Sequence, residues 1–153
     1  MGGRAQLMVA FFVLLLILSQ MAFGVATVVT NKGKAIYSDR VRGTPATYTN
    51  PPKYVAMGTG ATGAARTAAA ADTALSTEVE SRVAGTESVV TTSQTGDTYQ
   101  VTGTQTATAG CSIDEAMLND ASSSGNMFTS ATLNVVSLNN GDSIAWTWKV
   151  QQS

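Results

Sequence analysis

The residues with the most chemical potential in this 153-residue chain lie in Gly58-Thr-Gly-Ala-Thr-Gly63, a literal G-x-G-x-x-G. In a dinucleotide-binding unit such glycines let the backbone approach a pyrophosphate at a helix start, and an acidic residue about 20 positions on binds a ribose hydroxyl. Glu78 and Glu80 sit near that distance. They would also share one strand face, as would Asp114 and Ala116, because side chains two apart on a strand point the same way. Paired carboxylates across a cleft are what glycoside hydrolysis needs. Trp146 and Trp148 offer a platform on which a sugar ring could stack. Against these stand two absences in composition. The chain has no histidine, which removes Ser-His-Asp and Cys-His nucleophile systems. Cys111 is its one cysteine, so it holds no internal disulfide and no cysteine–histidine zinc site. Asp39, Asp72, Asp97, Asp120 and Asp142 mostly adjoin Gly, Thr, Ser or Asn, the setting of turn and cap residues.

The elements that would have to position these groups decide the matter. A phosphate-binding glycine loop requires repeated strand–helix–strand units, and everything after Thr77 reads as strand and turn. The glycine motif is therefore expected to be a flexible turn over Gly58 to Gly63 that reverses the chain. The carboxylates are expected on solvated faces and the tryptophans in the core. No catalytic, cofactor-binding or metal-binding residue is assigned, no cofactor is implied, and the chain reads as a non-enzyme.

The clearest element is the last. Ile144, Trp146, Trp148 and Val150 alternate with Ser143, Ala145, Thr147 and Lys149 behind an Asn-Gly hairpin turn. That period of two is the mark of a half-buried antiparallel strand. Val25 to Thr30 reads as a short strand. Asn31 is the expected cap of a helix over Lys32 to Arg42, with Ala35, Ile36 and Val41 apolar and Gly43 as the stop. Three prolines make Thr44 to Pro52 a loop. Further strands are expected at Lys53 to Met57, Thr77 to Ala84, Glu87 to Thr92, Asp97 to Thr106 and Met127 to Leu138. Ala64 to Ala74 and Ile113 to Asn119 are ambiguous, and Ala121 to Gly125 is a Ser-rich turn. The expected fold is all-β, a mainly antiparallel, jelly-roll-like β-sandwich with one short N-terminal helix and an apolar N-terminal arm. Residues 1–24 form the arm and residues 25–153 the sandwich, whose core takes Trp146, Trp148, Tyr99, Val101, Leu133 and Val135.

Charged residues make up 12% of the chain and the net charge is -1, with Lys and Arg few and scattered. A nucleic-acid binder needs a clustered basic surface, so no nucleic-acid partner is expected. Low charge with abundant Thr, Ser, Gly and Ala suits a subunit of a large assembly. Leu7 to Leu18 is an unbroken apolar run behind Arg4. Its pattern is that of a secretory signal. It also fits a membrane anchor if extended to Val29, an arm packed on a neighbouring subunit, or sequence upstream of a start at Met21. Membrane association is left open by these readings.

The segments Val29-Thr-Asn-Lys-Gly-Lys-Ala35, Pro52-Lys-Tyr-Val-Ala-Met-Gly-Thr-Gly-Ala61, Glu80-Ser-Arg-Val-Ala-Gly-Thr86, Asp97-Thr-Tyr-Gln-Val-Thr-Gly-Thr104, Asp114-Glu-Ala-Met-Leu-Asn-Asp120 and Leu138-Asn-Asn-Gly-Asp-Ser-Ile144 occur in an order that resembles small virion structural proteins of tailed bacteriophages. Such proteins are commonly labelled tail fibre proteins. The likeness spans about Val25 to Val150. Met117 stands where the E-x-G-L-x-D strand of phage collar and fibre domains has Gly, and the Leu7 to Leu18 block departs from the family. The resemblance implies no catalytic residue. It implies a module of the virion, made in the host cytoplasm, that assembles with itself as a trimer or ring. Its further partners would be tail, neck or capsid proteins, and its loops Thr44 to Pro52, Gly58 to Ala71 and Ala121 to Gly125 would meet neighbours or a host-surface receptor. The rival reading is a secreted or membrane-anchored bacterial surface domain of adhesin type.

Overall fold

The computed structural model describes residues 26–43, 47–60 and 67–151. The readings placed on the Leu7 to Leu18 block and on a start at Met21 lie outside them. In chain order the elements are β1 (Ala26–Val29), α1 (Asn31–Val41), β2 (Tyr54–Thr59), β3 (Thr77–Glu78), β4 (Val83–Ala84), β5 (Thr86–Val90), β6 (Thr98–Thr106), β7 (Cys111–Asn119), β8 (Met127–Leu138) and β9 (Ser143–Gln151). They form an all-β sandwich of two antiparallel sheets with one helix. The larger sheet has the order β1-β8-β7-β2-β3, with β4 also paired to β2, and the smaller has the order β5-β6-β9.

The β7 and β8 strands pair with each other, and β6 pairs with β9 along nine residues, from Thr98 opposite Gln151 to Thr106 opposite Ser143. The four strands are thus one long ribbon folded over, its inner half in one sheet and its outer half in the other. The two crossings are tied together: Ala107 N donates to Asp142 O and Gly141 N to Ala107 O, both at 2.8 Å. Here the structure corrects the sequence reading. Asn139 to Asp142 forms a tight turn, with Gly141 at φ 90°, but it is not a hairpin between neighbours. It carries the chain from β8 in one sheet to β9 in the other.

A third crossing lies between β4 and β5, at Gly85. A Cβ there would fall 2.5 Å from Val101 Cγ1 and 2.7 Å from Thr102 O. Only glycine leaves room for the two sheets to meet so closely.

The core fills the space between the sheets. Val55, Met57, Val101, Ile113 and Leu118 are fully buried, and Leu133, Trp148 and Val150 are nearly so. The alternation of the last strand holds: Ser143, Ala145, Thr147 and Lys149 are exposed while Trp148 and Val150 are buried. Trp146 and Tyr99 pack against the core while partly exposed. Val135 does not join it and is 62% exposed. Between the pairs Ile113–Val136 and Glu115–Thr132, two steps along β7 are matched by four along β8. The extra residues form a bulge that reverses the facing of the strand, so Val136 packs inward where Val135 was expected.

α1 starts one residue earlier than expected, with Thr30 and not Asn31 as its cap. Thr30 Oγ1 accepts from Gly33 N at 2.9 Å and donates to Met127 O. Gly33 lets the helix lie directly on the β8 backbone, since a Cβ there would collide with Phe128 O. Ile36 points into the core, whereas Val41, read as an apolar contact, is 67% exposed. Gly43 ends the helix with φ 79°. Residues 67–74 form turns and no helix, and Ile113 to Asn119, ambiguous in sequence, is strand.

Candidate functional site

The glycine motif opens inside a strand. Gly58 and Thr59 belong to β2 and pair with Glu78 and Thr77 of β3, while Gly58 also pairs with Glu115 of β7. The expected flexible turn is therefore displaced, and positions 61–63 lie outside the described residues. A Cβ on Gly58 would meet Thr77 O at 2.5 Å and Glu115 Oε1 at 3.1 Å. Gly60 N donates to Asp114 Oδ1. A backbone amide that would have faced a phosphate faces a carboxylate instead, and two buried carboxyl groups beside it repel an anion. β2 is antiparallel to each of its neighbours, so the parallel sheet of a dinucleotide fold is not present around the motif.

Asp114 and Glu115 were expected on a solvated face. They are 4% and 1% exposed. Adjacent on β7, they point to opposite sides of the sheet, so each holds a different loop. Asp114 takes Gly60, and Glu115 Oε1 accepts from Ser76 N at 2.5 Å and Thr77 N at 3.3 Å. Buried carboxylates persist when hydrogen bonds replace their hydration.

Glu78 and Glu80 also do separate work. Glu78 accepts from Arg82 Nε at 3.1 Å and Nη2 at 2.5 Å, and Arg82 Nη1 reaches Ala121 O at 3.1 Å. Glu80 Oε1 accepts from Thr108 N at 2.6 Å. The aspartates expected in turns are there. Asp39 accepts from Tyr48 N, Asp72 from Ala69 N, Asp120 from Asn126 N and Asp142 from Asn139 N. Asp97 accepts from Thr92, Ser93 and Gln94 amides at 2.8, 2.8 and 2.9 Å, and these bonds, Gln94 first, hold its carboxyl far below the usual range. Among the described residues no group of three or more His, Cys, Asp or Glu is placed to hold a metal.

Two surface features remain, and neither was legible in the sequence as a site. The first is a groove of about 330 Å³ between α1, Pro51–Pro52 and the ends of β5, β6 and β8. Ile36, Tyr99 and Phe128 line its depth, and Tyr99 and Phe128 meet edge to face with ring centroids 6.4 Å apart. Tyr37 and Val89, 43% and 68% exposed, line it from the surface, and Arg40 and Asp97 are its charged residues. Tyr99 Oη donates to Glu87 Oε2 at 3.1 Å and lies 3.2 Å from Pro52 O. Burial first, then the Glu87 charge, pushes its phenol above the ordinary value, so it serves as a fixed donor and not an acid. The groove is assembled from four stretches of chain, which no spacing rule joins. The one local signal is Tyr37 and Val41, four apart on a helix face.

The second feature is a crevice of about 320 Å³ on the opposite flank. Trp146 and Trp148 line it with Ala116, Ala131, Leu133 and Thr27. Both indole Nε1 atoms are buried with no hydrogen-bond partner among the described residues.

Cys111 is a free, half-buried thiol, its pKa raised by burial and then by the Glu80 charge. Among the described residues no helix is long and apolar enough to cross a membrane. Comparison with known proteins adds no relative: no protein-family model, no curated protein and no solved structure matches this chain.

Proposed function

We propose that the chain is a structural component of a tailed-phage virion: a tail fibre, a neck or collar fibre, or a capsid decoration protein. It acts by assembly, with copies of itself, three being the favoured number, and with neighbouring tail, neck or capsid proteins. The observation that carries this reading is the groove beside α1. It is an apolar recess flanked by exposed Tyr37 and Val89, and contiguous exposed apolar surface of this kind marks an interaction site. The nearby polar groups are already engaged: Arg40 Nη2 donates to Thr49 O at 2.7 Å, and Asp97 holds its own turn. Such a surface receives an apolar side chain from a partner and is poor equipment for chemistry on a substrate.

The test is the mass of the purified chain by light scattering, followed by electron microscopy of the intact particle. Self-association, and density for this chain with a neighbour seated in the groove, are the expected results. A monomer at high concentration that is missing from particles would overturn the reading.

A further inference from the structure

We infer that residues 7–18 of this chain add a fourth strand to the smaller sheet, beside β9, and close the tryptophan crevice. The inference is independent of the virion reading. Its first support is a mismatch between the sheets. The larger has five strand positions and the smaller three. The inward side chains of β9 share the crevice with Ala131 and Leu133 of β8 and with Thr27 of β1, so the larger sheet runs on past β9 by the width of β1. One more strand, about 4.8 Å further out, would lie over β1.

The second support is that β9 is built to receive it. It is a nine-residue edge with a single charged side chain, Lys149, and no proline. Natural edge strands are normally short, charged, bulged or covered. The third is the pair of orphaned indole donors. Trp148 is 7% exposed, yet neither its Nε1 nor that of Trp146 has a partner, and a buried donor left unpaired costs about 1–3 kcal/mol. The crevice therefore wants apolar bulk together with hydrogen-bond acceptors.

The occupant follows from reach and shape. A second sandwich brought edge to edge would drive its own projecting β1 against this one, so a lone segment fits where a domain does not. Leu7 to Leu18 is an apolar run of twelve residues, longer than the β9 edge. Seven residues, Ser19 to Val25, join it to β1. They span up to about 23 Å when extended, against about 10 Å between packed sheets. Passing the mouth of the crevice, they bring backbone carbonyls and the side-chain oxygens of Ser19 and Gln20 within range of the indoles. Attachment to the same chain gives the segment a high effective concentration.

The experiment uses the full chain and the parity of a strand. Successive side chains point to opposite faces, so of Leu14→Asp and Leu15→Asp one places its carboxylate in the crevice and the other outside. Hydrogen exchange of the two indole N–H groups and of the β9 amides directed away from β6 should speed up about tenfold or more in one variant and stay near the parent rate in the other. Equal effects of both substitutions, or none, would overturn the inference. The unmodified chain gives a second reading that needs no variant: those outward amides should exchange slowly at every concentration. Rapid exchange would overturn the inference, and so would protection that appears only as the chain self-associates, which would assign the strand to a neighbouring copy.

Discussion

A carboxylate that accepts three backbone amides stabilises its turn only while it is charged. Asp97 does this for Thr92, Ser93 and Gln94, and its folded pKa is depressed. The stability it contributes is fully present above the unfolded value of about 3.9 and is lost as pH falls toward the folded value. The melting temperature of the parent chain should therefore drop as pH is lowered from about 5 to about 3, and Asp97→Asn should show a shallower drop; parallel curves would refute the assignment. Cys111 titrates upward, so at pH near 8 its thiolate fraction is small and alkylation by iodoacetamide should be slower than that of an unperturbed thiol, about 8.5 in pKa; a rate equal to that of free cysteine would contradict it. The turn aspartates were legible because their partners lie within a few residues. The roles of Asp114 and Glu115 were not, because the amides they hold are at Gly60 and at Ser76–Thr77. Carboxylates on a strand look solvated until the loops above them are known.

Packing within the elements sets the next group of expectations. Trp148→Ala should cost about 3–5 kcal/mol, and Val135→Ala, on the outer side of the bulge, should stay within about 0.5 kcal/mol. Urea unfolding of the two variants checks the pair. A large cost at Val135 would mean that the facing of β8 is misassigned. Gly85→Ala should cost about 1–3 kcal/mol by overpacking, because its methyl would meet Val101 and the Thr102 carbonyl; an unchanged denaturation midpoint would show that the crossing can relax. The strands were legible from their alternation, and Met127 to Leu138 was read to the residue. The bulge within it was not, since both halves of β8 keep a period of two and only the partner strand reveals the slip. The Asn-Gly turn was misread for a related reason. The same tight turn serves a hairpin or a crossing, and what separates them is the pairing of β9 with β6, which is decided far away in sequence.

At the scale of the molecule, the sandwich class was open to sequence reasoning because short alternating strands with regular turns leave few other solutions. The groove beside α1 was hidden because it exists only once α1, β5, β6 and β8 are in place. If this surface is the contact with neighbours, the double variant Tyr37→Glu with Val89→Glu should keep the melting temperature of the parent, since both residues are largely outside the core. It should also fail to self-associate or enter particles; assembly that survives both charges would move the interface elsewhere. The pairing of Thr98 with Gln151 carries one more consequence. During synthesis β5 and β6 leave the ribosome with nothing to lie beside, and their sheet stays incomplete until the final ribbon has cleared the exit tunnel. A message truncated a few codons before its end would therefore release a chain with an exposed, aggregation-prone half, and quality control would meet this protein at termination, not midway through translation.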